Sequence, residues 1–204
     1  MRAEALSGRT LGELALALGV RLPEEPRRAK GIPGQLLERA LGADGGSRPE
    51  PDFGALGIEL KTVPIGPEGR PRESTYVCKV ASLEIAHEEW PSSRVRRKLA
   101  HVLWVPVAAV GALAERRIGA ARLWQPSSEE EGDLRADWEE LAGLLGSGAV
   151  EEITAHRGRF LQIRPKAADG DERGVMPGPD GTTVATVPRG FYLRSSFTER
   201  ILGS

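Results

Sequence analysis

The sequence predicts a fold of the α/β or α+β class, in which a mixed sheet is flanked by helices. Two kinds of segment alternate along the chain: amphipathic stretches of helical period, and short apolar runs of strand length. Because these segments are interspersed rather than grouped, they favour helices packed around a central sheet. The 204 residues can bury one sizeable core, so we expect a single domain over 1–204 that consists of two lobes.

The N-terminal part is predicted to contain two short helices. Thr10 and Glu13 form a capping-box pattern that begins the first helix. The second helix is expected over about 32–41, and Gly42 is expected to end it. The segment 43–49 is rich in turn-forming residues and predicts a linker.

Strands are predicted in both halves of the chain. The first ends at Pro64, and a turn through 66–69 leads to a second over 74–81, which we expect to pair with it antiparallel. A basic helix over 92–100 precedes a buried strand over 101–106. Later strands are expected at 160–163 and 190–193, with a turn at 178–181 between them.

A long helix is predicted to begin at Ser127 or Ser128, with acids in its first turn that suit the helix dipole. Its buried stripe is expected to be Leu134, Trp138, Leu141 and Leu145. The tryptophans at 104, 124 and 138 are expected in the core rather than on a base-stacking surface.

The composition is typical of a soluble globular protein, with 40% apolar residues, 28% charged residues and a net charge of −1. No apolar run reaches the roughly 18 residues of a membrane span, and the N-terminus lacks a signal-peptide pattern. Cys78 is the only cysteine, which excludes an intrachain disulfide, favours a cytoplasmic protein and predicts a buried apolar role for this side chain. The three histidines lack the spacing of zinc ligands.

Charges are distributed unevenly along the chain. The windows 90–114, 153–168 and 181–198 contain basic residues but no acid, whereas acids concentrate over 129–140. Such segregation would give one positive face, which suits a DNA duplex despite the nearly neutral total. The alternative is that the windows are ordinary solvated basic surfaces.

The most informative segment places Asp52 ahead of a strand that carries Glu59 and Lys61. Because side chains alternate along a strand, Glu59 and Lys61 point to one face, about 6.6 Å apart along the chain. Ile58 and Leu60 point the other way, into a core. A Mg²⁺-dependent hydrolase of phosphodiesters needs two carboxylates and an ammonium around a small space, and Mn²⁺ is a substitute for Mg²⁺ there.

In this interpretation Asp52 and Glu59 bind the metal, and Lys61 lies beside the attacking water. Glu38 on the second predicted helix is a further catalytic candidate, as an outer carboxylate. The alternative for Glu59 and Lys61 is a salt bridge on an exposed strand, worth less than about 1 kcal/mol.

Several stretches carry a more specific signal, namely 30–31, 36–38, 46–53, 57–62, 95–99, 102–104, 137–140, 161–168 and 188–193. In the same order and over nearly the whole chain, they resemble the MutH family of mismatch-repair DNA endonucleases. The resemblance implies a restriction-endonuclease-like fold with two lobes around a DNA-binding cleft. It also implies that Asp52, Glu59 and Lys61 form a catalytic triad, with Glu38 as an additional active-site glutamate. The stretches that depart from the family, including 169–186, are expected to be loops.

The resemblance further implies DNA contacts for Lys30, Lys98, Arg164, Pro165, Lys166 and Tyr192. Further DNA-binding candidates are Arg48 and three basic residues of the acid-free windows, Arg94, Arg97 and Arg189. Lys30 and Lys98 match lysines near the DNA and the active site, and 164–166 match a base-reading loop. Tyr192 matches a tyrosine beside the adenine that carries or lacks a methyl group. Two alternatives stay open, namely that Tyr192 is a half-buried strand aromatic and that Arg164 clamps a phosphate.

By resemblance, the function is that of a Mg²⁺-dependent endonuclease that nicks the unmethylated strand at hemimethylated GATC sites. It would be a monomer that acts on double-stranded DNA, is activated by the ATPase MutL and depends indirectly on MutS. The acidic segment 129–140 is one docking surface for MutL, with a solvated surface as the alternative. Two other functions remain open: a restriction-type endonuclease that breaks both strands at GATC, and a DNA-binding module without catalysis.

Overall fold

The computed structural model describes residues 2–25, 31–45, 50–80, 83–154, 156–166, 174–178 and 182–203. The chain divides into two compact units. The first comprises Met1–Glu73, Ala100–Gln125 and Glu199–Ser204, and the second comprises Ser74–Leu99 and Pro126–Thr198. The mixed α/β class is confirmed, but the strands of the described residues form three separate sheets rather than one central sheet.

The regular elements follow one another as helices and strands in mixed order. The helices are α1 (Leu11–Leu18), α2 (Ile32–Leu41), α3 (Arg94–Leu99), α4 (Ser128–Gly146) and α5 (Ser195–Gly203). The strands are β1 (Glu59–Ile65), β2 (Thr75–Lys79), β3 (Val102–Ala108), β4 (Arg122–Trp124), β5 (Leu161–Pro165), β6 (Gly174–Pro177), β7 (Thr183–Thr186) and β8 (Arg189–Leu193). None of the described helices is both long enough and apolar enough to cross a bilayer.

In the first unit, α1 and α2 pack with a sheet of strand order β1-β3-β4. The predicted capping box is confirmed, because the Glu13 amide donates to Thr10 Oγ1 at 3.1 Å and the Thr10 amide donates to Glu13 Oε2 at 2.8 Å. Gly42 ends α2 in the left-handed region, at φ 79°, as predicted. The core between these elements includes Leu37 and Val105, both of which are almost fully buried.

The predicted pairing of the first two strands is wrong. β1 pairs parallel with β3, whereas β2 pairs antiparallel with β8 in the sheet of the second unit. The turn at 66–69 does form, with a hydrogen bond of 2.8 Å from the Gly66 amide to the Arg70 carbonyl, but only an isolated bridge joins Ile65 to Pro71. Because prolines at 64 and 71 have no N–H to donate, a hairpin ladder cannot extend from this turn.

The second unit contains an antiparallel sheet of order β2-β8-β5 and the two-stranded sheet β6-β7. α4 begins after Ser127, which caps it together with Glu130, and the predicted stripe of Leu134, Trp138, Leu141 and Leu145 is buried. Cys78 is buried as predicted, and Trp104 and Trp124 are buried in the first unit.

The stretch 169–186 does not consist of loops alone. β6 and β7 pair antiparallel, from Gly174 opposite Thr186 to Pro177 opposite Thr183. The Gly178 amide donates to the Thr182 carbonyl at 2.8 Å where the turn was predicted, and 179–181 lie outside the described residues.

Candidate functional site

Asp52 stands at the start of a tight loop that leads into β1. Phe53 and Ile58 close this loop with two backbone hydrogen bonds, of 2.9 and 3.3 Å. Gly57 adopts φ 64°, a left-handed conformation that glycine takes at little cost. The neighbouring Gly45 is also required, because a Cβ there would lie 2.6 Å from the Asp52 Cα. The backbone therefore holds Asp52 in one place.

The three predicted triad side chains lie on or beside the first residues of β1. Asp52 Oδ2 accepts a hydrogen bond of 2.9 Å from the amide of Leu60, and Lys61 Nζ donates to Glu59 Oε1 at 2.8 Å. The Asp52 and Glu59 residues are 6% and 3% exposed, and the Lys61 side chain is 12% exposed. The salt bridge of the alternative interpretation is therefore present, but it does not lie on an exposed part of the strand. A charged pair buried this far is costly to maintain unless its geometry is good, and such sites are typical of function.

Glu38 lies on the helix that packs against β1. It is half-buried on α2, one turn after Gly34. A Cβ at Gly34 would lie 3.9 Å from Glu38 Oε1 and 3.7 Å from Thr62 Oγ1, so the Glu38 carboxylate and Thr62 approach the same point. Thr62 directly follows Lys61. The structure thus brings Glu38 towards the strand that carries the triad.

The donor set around β1 suits a cation that needs few protein ligands. Among the described residues, no group of three or more His, Cys, Asp and Glu side chains could hold a metal ion. The candidates are therefore the buried carboxylates of Asp52 and Glu59, which are hard oxygen ligands. Mg²⁺ is bound in many enzymes by one or two carboxylates and keeps several waters, so this pair fits Mg²⁺.

In the second unit, the predicted base-reading residues share one face of the β2-β8-β5 sheet. Tyr192 on β8 is directly opposite Tyr76 on β2 and Gln162 on β5, and Arg164 is opposite Gly190. Directly paired residues point their side chains to the same face of a sheet. The side chains of Tyr76, Gln162, Arg164 and Tyr192 therefore form one surface, here called the tyrosine face. A Cβ at Gly190 would lie 2.9 Å from the Tyr76 ring, so the glycine makes room for the tyrosines.

Tyr76 was not predicted as a functional residue, yet it contacts two that were. Its ring lies 5.3 Å from the Tyr192 ring in an edge-to-face arrangement. Lys166 Nζ lies 4.6 Å from the centre of the Tyr76 ring and donates to its hydroxyl at 3.1 Å. Burial raises the pKa of Tyr76 to about 12, so this hydroxyl stays neutral at physiological pH. The pattern of a strand was visible at 74–81, but the partner of Tyr76 across the sheet was not.

The remaining DNA-binding candidates divide into three groups. Arg97 is exposed on α3, whereas Lys98 next to it is 6% exposed and is therefore not an open surface residue. The Nε atoms of Arg94 and Arg189 are buried and, among the described residues, have no hydrogen-bond partner. Lys30 and Arg48 lie outside the described residues, as do 167–168 of the resembling stretch.

Comparison with known proteins decides the family. A family model described as DNA mismatch repair enzyme MutH matches residues 41–137, a range that includes the triad. DNA mismatch repair protein MutH of Yersinia enterocolitica is 52% identical over 203 residues, which cover 98% of this chain and 89% of that protein. MutH proteins of Escherichia coli K12 and Klebsiella pneumoniae are 49% identical over 203 residues, covering 98% of this chain and 89% and 88% of theirs. The chain belongs to the MutH family.

Membership in the MutH family confirms the prediction of a DNA mismatch-repair endonuclease, with the restriction-endonuclease-like fold of that family. The predicted triad of Asp52, Glu59 and Lys61 lies within the matched range. Arg164, Pro165, Lys166 and Tyr192 lie beyond the match to the family model but within the range covered by the relatives.

The MutH-family chain is less segregated in charge than its sequence suggested. Three arginines from the acid-free windows are paired with acids of α4. These pairs are Arg96–Glu131, Arg157–Glu140 and Arg159–Asp133, each at 2.7 Å. The hydrogen bond from Arg96 holds the pKa of Glu131 below its usual range. The paired arginines contribute less to a positive face, and the acids of α4 are correspondingly less open as a docking surface.

Proposed function

We propose that this chain is a Mg²⁺-dependent endonuclease that nicks the unmethylated strand of hemimethylated GATC sites. It acts as a cytoplasmic monomer that MutL activates, downstream of MutS. The observation that carries the proposal is that Asp52 and Glu59 are buried at the start of β1, with the slightly exposed Lys61 bonded to Glu59. Monomeric action is supported by a single motif and the absence of an internal repeat in the sequence, because cutting both strands at once needs two sites.

Asp52 and Glu59 would hold the cation. Each carboxylate has about four lone-pair sites, so Asp52 can accept the Leu60 amide, and Glu59 can accept Lys61, while both bind a metal. When bound, Mg²⁺ neutralises charge on the phosphate and lowers the pKa of a bound water. Mn²⁺ fits the same set of hard oxygen donors.

Lys61 supplies a fixed positive charge next to these carboxylates. Its hydrogen bond to Glu59 restrains the ammonium, and its low exposure strengthens electrostatic effects on a nearby phosphate. In this position Lys61 orients the attacking water and stabilises the charge that develops on the phosphate oxygens. Glu38 serves as an outer carboxylate that binds a further water near β1.

DNA recognition is assigned to the second unit. The guanidinium of Arg164 can donate two hydrogen bonds to O6 and N7 of guanine, and Tyr192 contacts the adenine N6 edge, where a methyl group would alter the fit. Arg94, Arg97 and Arg189 bind phosphates. The Nε atoms of Arg94 and Arg189 have no hydrogen-bond partner within the described part of the chain, which supports this role, because rotation of the long side chains towards DNA would relieve the cost of burying such a donor.

Plasmid nicking tests this function. Supercoiled DNA with unmethylated, hemimethylated or fully methylated GATC is incubated with and without Mg²⁺ and MutL. The proposal predicts Mg²⁺-dependent nicks on unmethylated strands, faster with MutL, and little cleavage of fully methylated DNA. Prompt double-strand breaks that are indifferent to methylation and to MutL would support a restriction enzyme instead. Binding without any nicking would support a non-catalytic module.

A further inference from the structure

Asp137 on α4 makes an unusual set of contacts for a charged residue. Its Oδ1 accepts the amide of Arg159 at 2.7 Å, and its Oδ2 accepts the amides of Phe160 and Leu161 at 2.7 and 2.8 Å. The residue is 7% exposed. Three charge-assisted hydrogen bonds to consecutive backbone amides compensate for burying the carboxylate. Asp137 therefore binds the main chain at the entry to β5, whereas Asp133 binds the side chain of Arg159.

Arg194 holds the same segment through its carbonyl oxygens. Its Nε donates to the Gly158 carbonyl at 3.0 Å, and its Nη2 donates to the Arg157 carbonyl at 2.7 Å. Gly158 adopts φ 74°, and a Cβ added to it would collide with the Leu161 carbonyl oxygen. The turn before β5 is therefore restricted to one conformation. Asp137 binds its amides at 159–161, and Arg194 binds its carbonyls at 157 and 158. These two residues are here called the β5 clamp.

The clamp restricts the register of β5, which the apolar pattern of the strand does not fully determine. Leu161 and Ile163 are buried, whereas Gln162 and Arg164 lie on the tyrosine face. A slip by one residue would bury Arg164, so the alternation forbids it. A slip by two residues would keep every side chain on its own face, and the alternation does not forbid that. The clamp forbids it together with Gly158, because Asp137 and Arg194 hold a turn in which only a glycine fits at position 158.

We propose that Asp137 and Arg194 are positioning residues for recognition of the DNA sequence. By fixing the register of β5, they place Arg164 opposite Gly190 and place Lys166 over Tyr76. Arg164 lies three residues beyond Leu161, about 10 Å along the strand, so the clamp acts through β5. This inference rests on the proposed function, in which 164–166 read the site.

The test compares cleavage at GATC with cleavage at a site that differs by one base. The variants are Asp137→Asn and Arg194→Lys, and the control is Asp133→Asn, which removes a carboxylate from the same helix but leaves the backbone contacts. Asparagine has one acceptor oxygen and presents an NH₂ group to at least one amide that the aspartate bound. The ratio of kcat/KM for the two sites should fall by about tenfold in both clamp variants, the scale expected for one lost base contact. It should stay near the wild-type ratio in the control.

A ratio of rates is used because a loss of folded protein lowers cleavage of both sites equally. Hydrogen exchange supplies a second readout, since the amides of Phe160 and Leu161 should exchange faster in Asp137→Asn. If Asp137→Asn does not fold, Arg194→Lys decides. A folded clamp variant that keeps the wild-type ratio would overturn the inference while leaving the proposed function intact. A wild-type enzyme that does not prefer GATC would overturn the proposed function itself, and the recognition role of the clamp with it.

Discussion

Substitution of Asp52 can separate the chemical role of its carboxylate from its structural role. Asp52 Oδ2 accepts the buried Leu60 amide at 2.9 Å, and the residue is 6% exposed. Asp52→Asn keeps an oxygen that can accept this bond and removes the charge. Asp52→Ala removes both and leaves the amide without this acceptor. The two variants should therefore differ in stability and agree in activity.

The magnitudes follow from the contact. A buried donor that loses its acceptor costs about 1–3 kcal/mol in the free energy of unfolding. For a chain of this size, Asp52→Ala should lower Tm by about 2–12 °C. Asp52→Asn should remain within about 1 kcal/mol of the wild type, because the bond is weakened but not lost. Both variants should nick at least about 100-fold more slowly. Loss of a residue that only supports a metal ligand already lowers activity by up to about 100-fold, and loss of the ligand itself should lower it at least as much.

The assay combines thermal unfolding by circular dichroism with nicking of supercoiled plasmid in Mg²⁺ at a temperature where all variants are folded. Asp44→Asn is the matched control, because Asp44 is an exposed carboxylate that is not among the predicted metal ligands and accepts the Gly54 amide in the same loop. It should retain nicking. If Asp52→Asn cleaved within about tenfold of the wild type, its role as a metal ligand would be refuted. Equal stability of the two Asp52 variants would refute the structural role of the Leu60 bond.

Four further outcomes are expected. Lys61→Ala should slow nicking by about 10²-fold or more with DNA binding retained in a mobility-shift assay, because the ammonium held by Glu59 is lost; unaltered nicking would contradict its role. Arg189→Ala should weaken binding to every sequence and reduce the slope of log K against log salt by about one, and an unchanged slope would argue against a phosphate contact. Arg164→Ala should weaken binding to GATC more than to unrelated DNA, whereas equal losses would contradict base reading. Burial raises the pKa of Tyr76 from 10.0 to about 12, so the stabilisation from its neutral form is present below pH 10 and lost as pH rises towards 12; chemical unfolding should show this decline relative to Tyr76→Phe.

The helices could be predicted well because their signals are local. The capping box of Thr10 and Glu13 and the glycine at 42 act within one turn of the chain, and the bounds of α1 and α2 followed from them. The buried stripe of α4 likewise repeats at the spacing of its own turns. Such patterns depend on residues three or four apart, which the sequence displays directly.

Strand pairing could not be predicted in the same way. β1 pairs with β3 rather than with the next strand, and nothing in either strand specifies its partner. The hairpin that we expected from the turn at 66–69 ends at a single bridge. Its prolines were visible in the sequence and were the available signal against a ladder.

The candidate site shows the same contrast. Asp52, Glu59 and Lys61 lie within ten residues, so the two-residue period of a strand and one turn were enough to bring them together. Tyr76 was missed because its contact with Tyr192 depends on the pairing of β2 with β8. The ion pairs between the arginines of the acid-free windows and α4 were missed for the same reason.

Substitutions should act differently on the chemistry of the first unit and on the DNA recognition of the second. The predicted chemistry depends on a short segment of the first unit, whose loop closes on itself through Phe53 and Ile58. The predicted recognition depends on the register of three strands of the second unit, and so on residues as distant in sequence as Asp137 and Arg194. Changes outside the segment 45–62 should therefore more often alter where the enzyme cuts than whether it can cut. Cleavage specificity is then the more sensitive measure of a disturbed strand register in the second unit, and total nicking activity the less sensitive one.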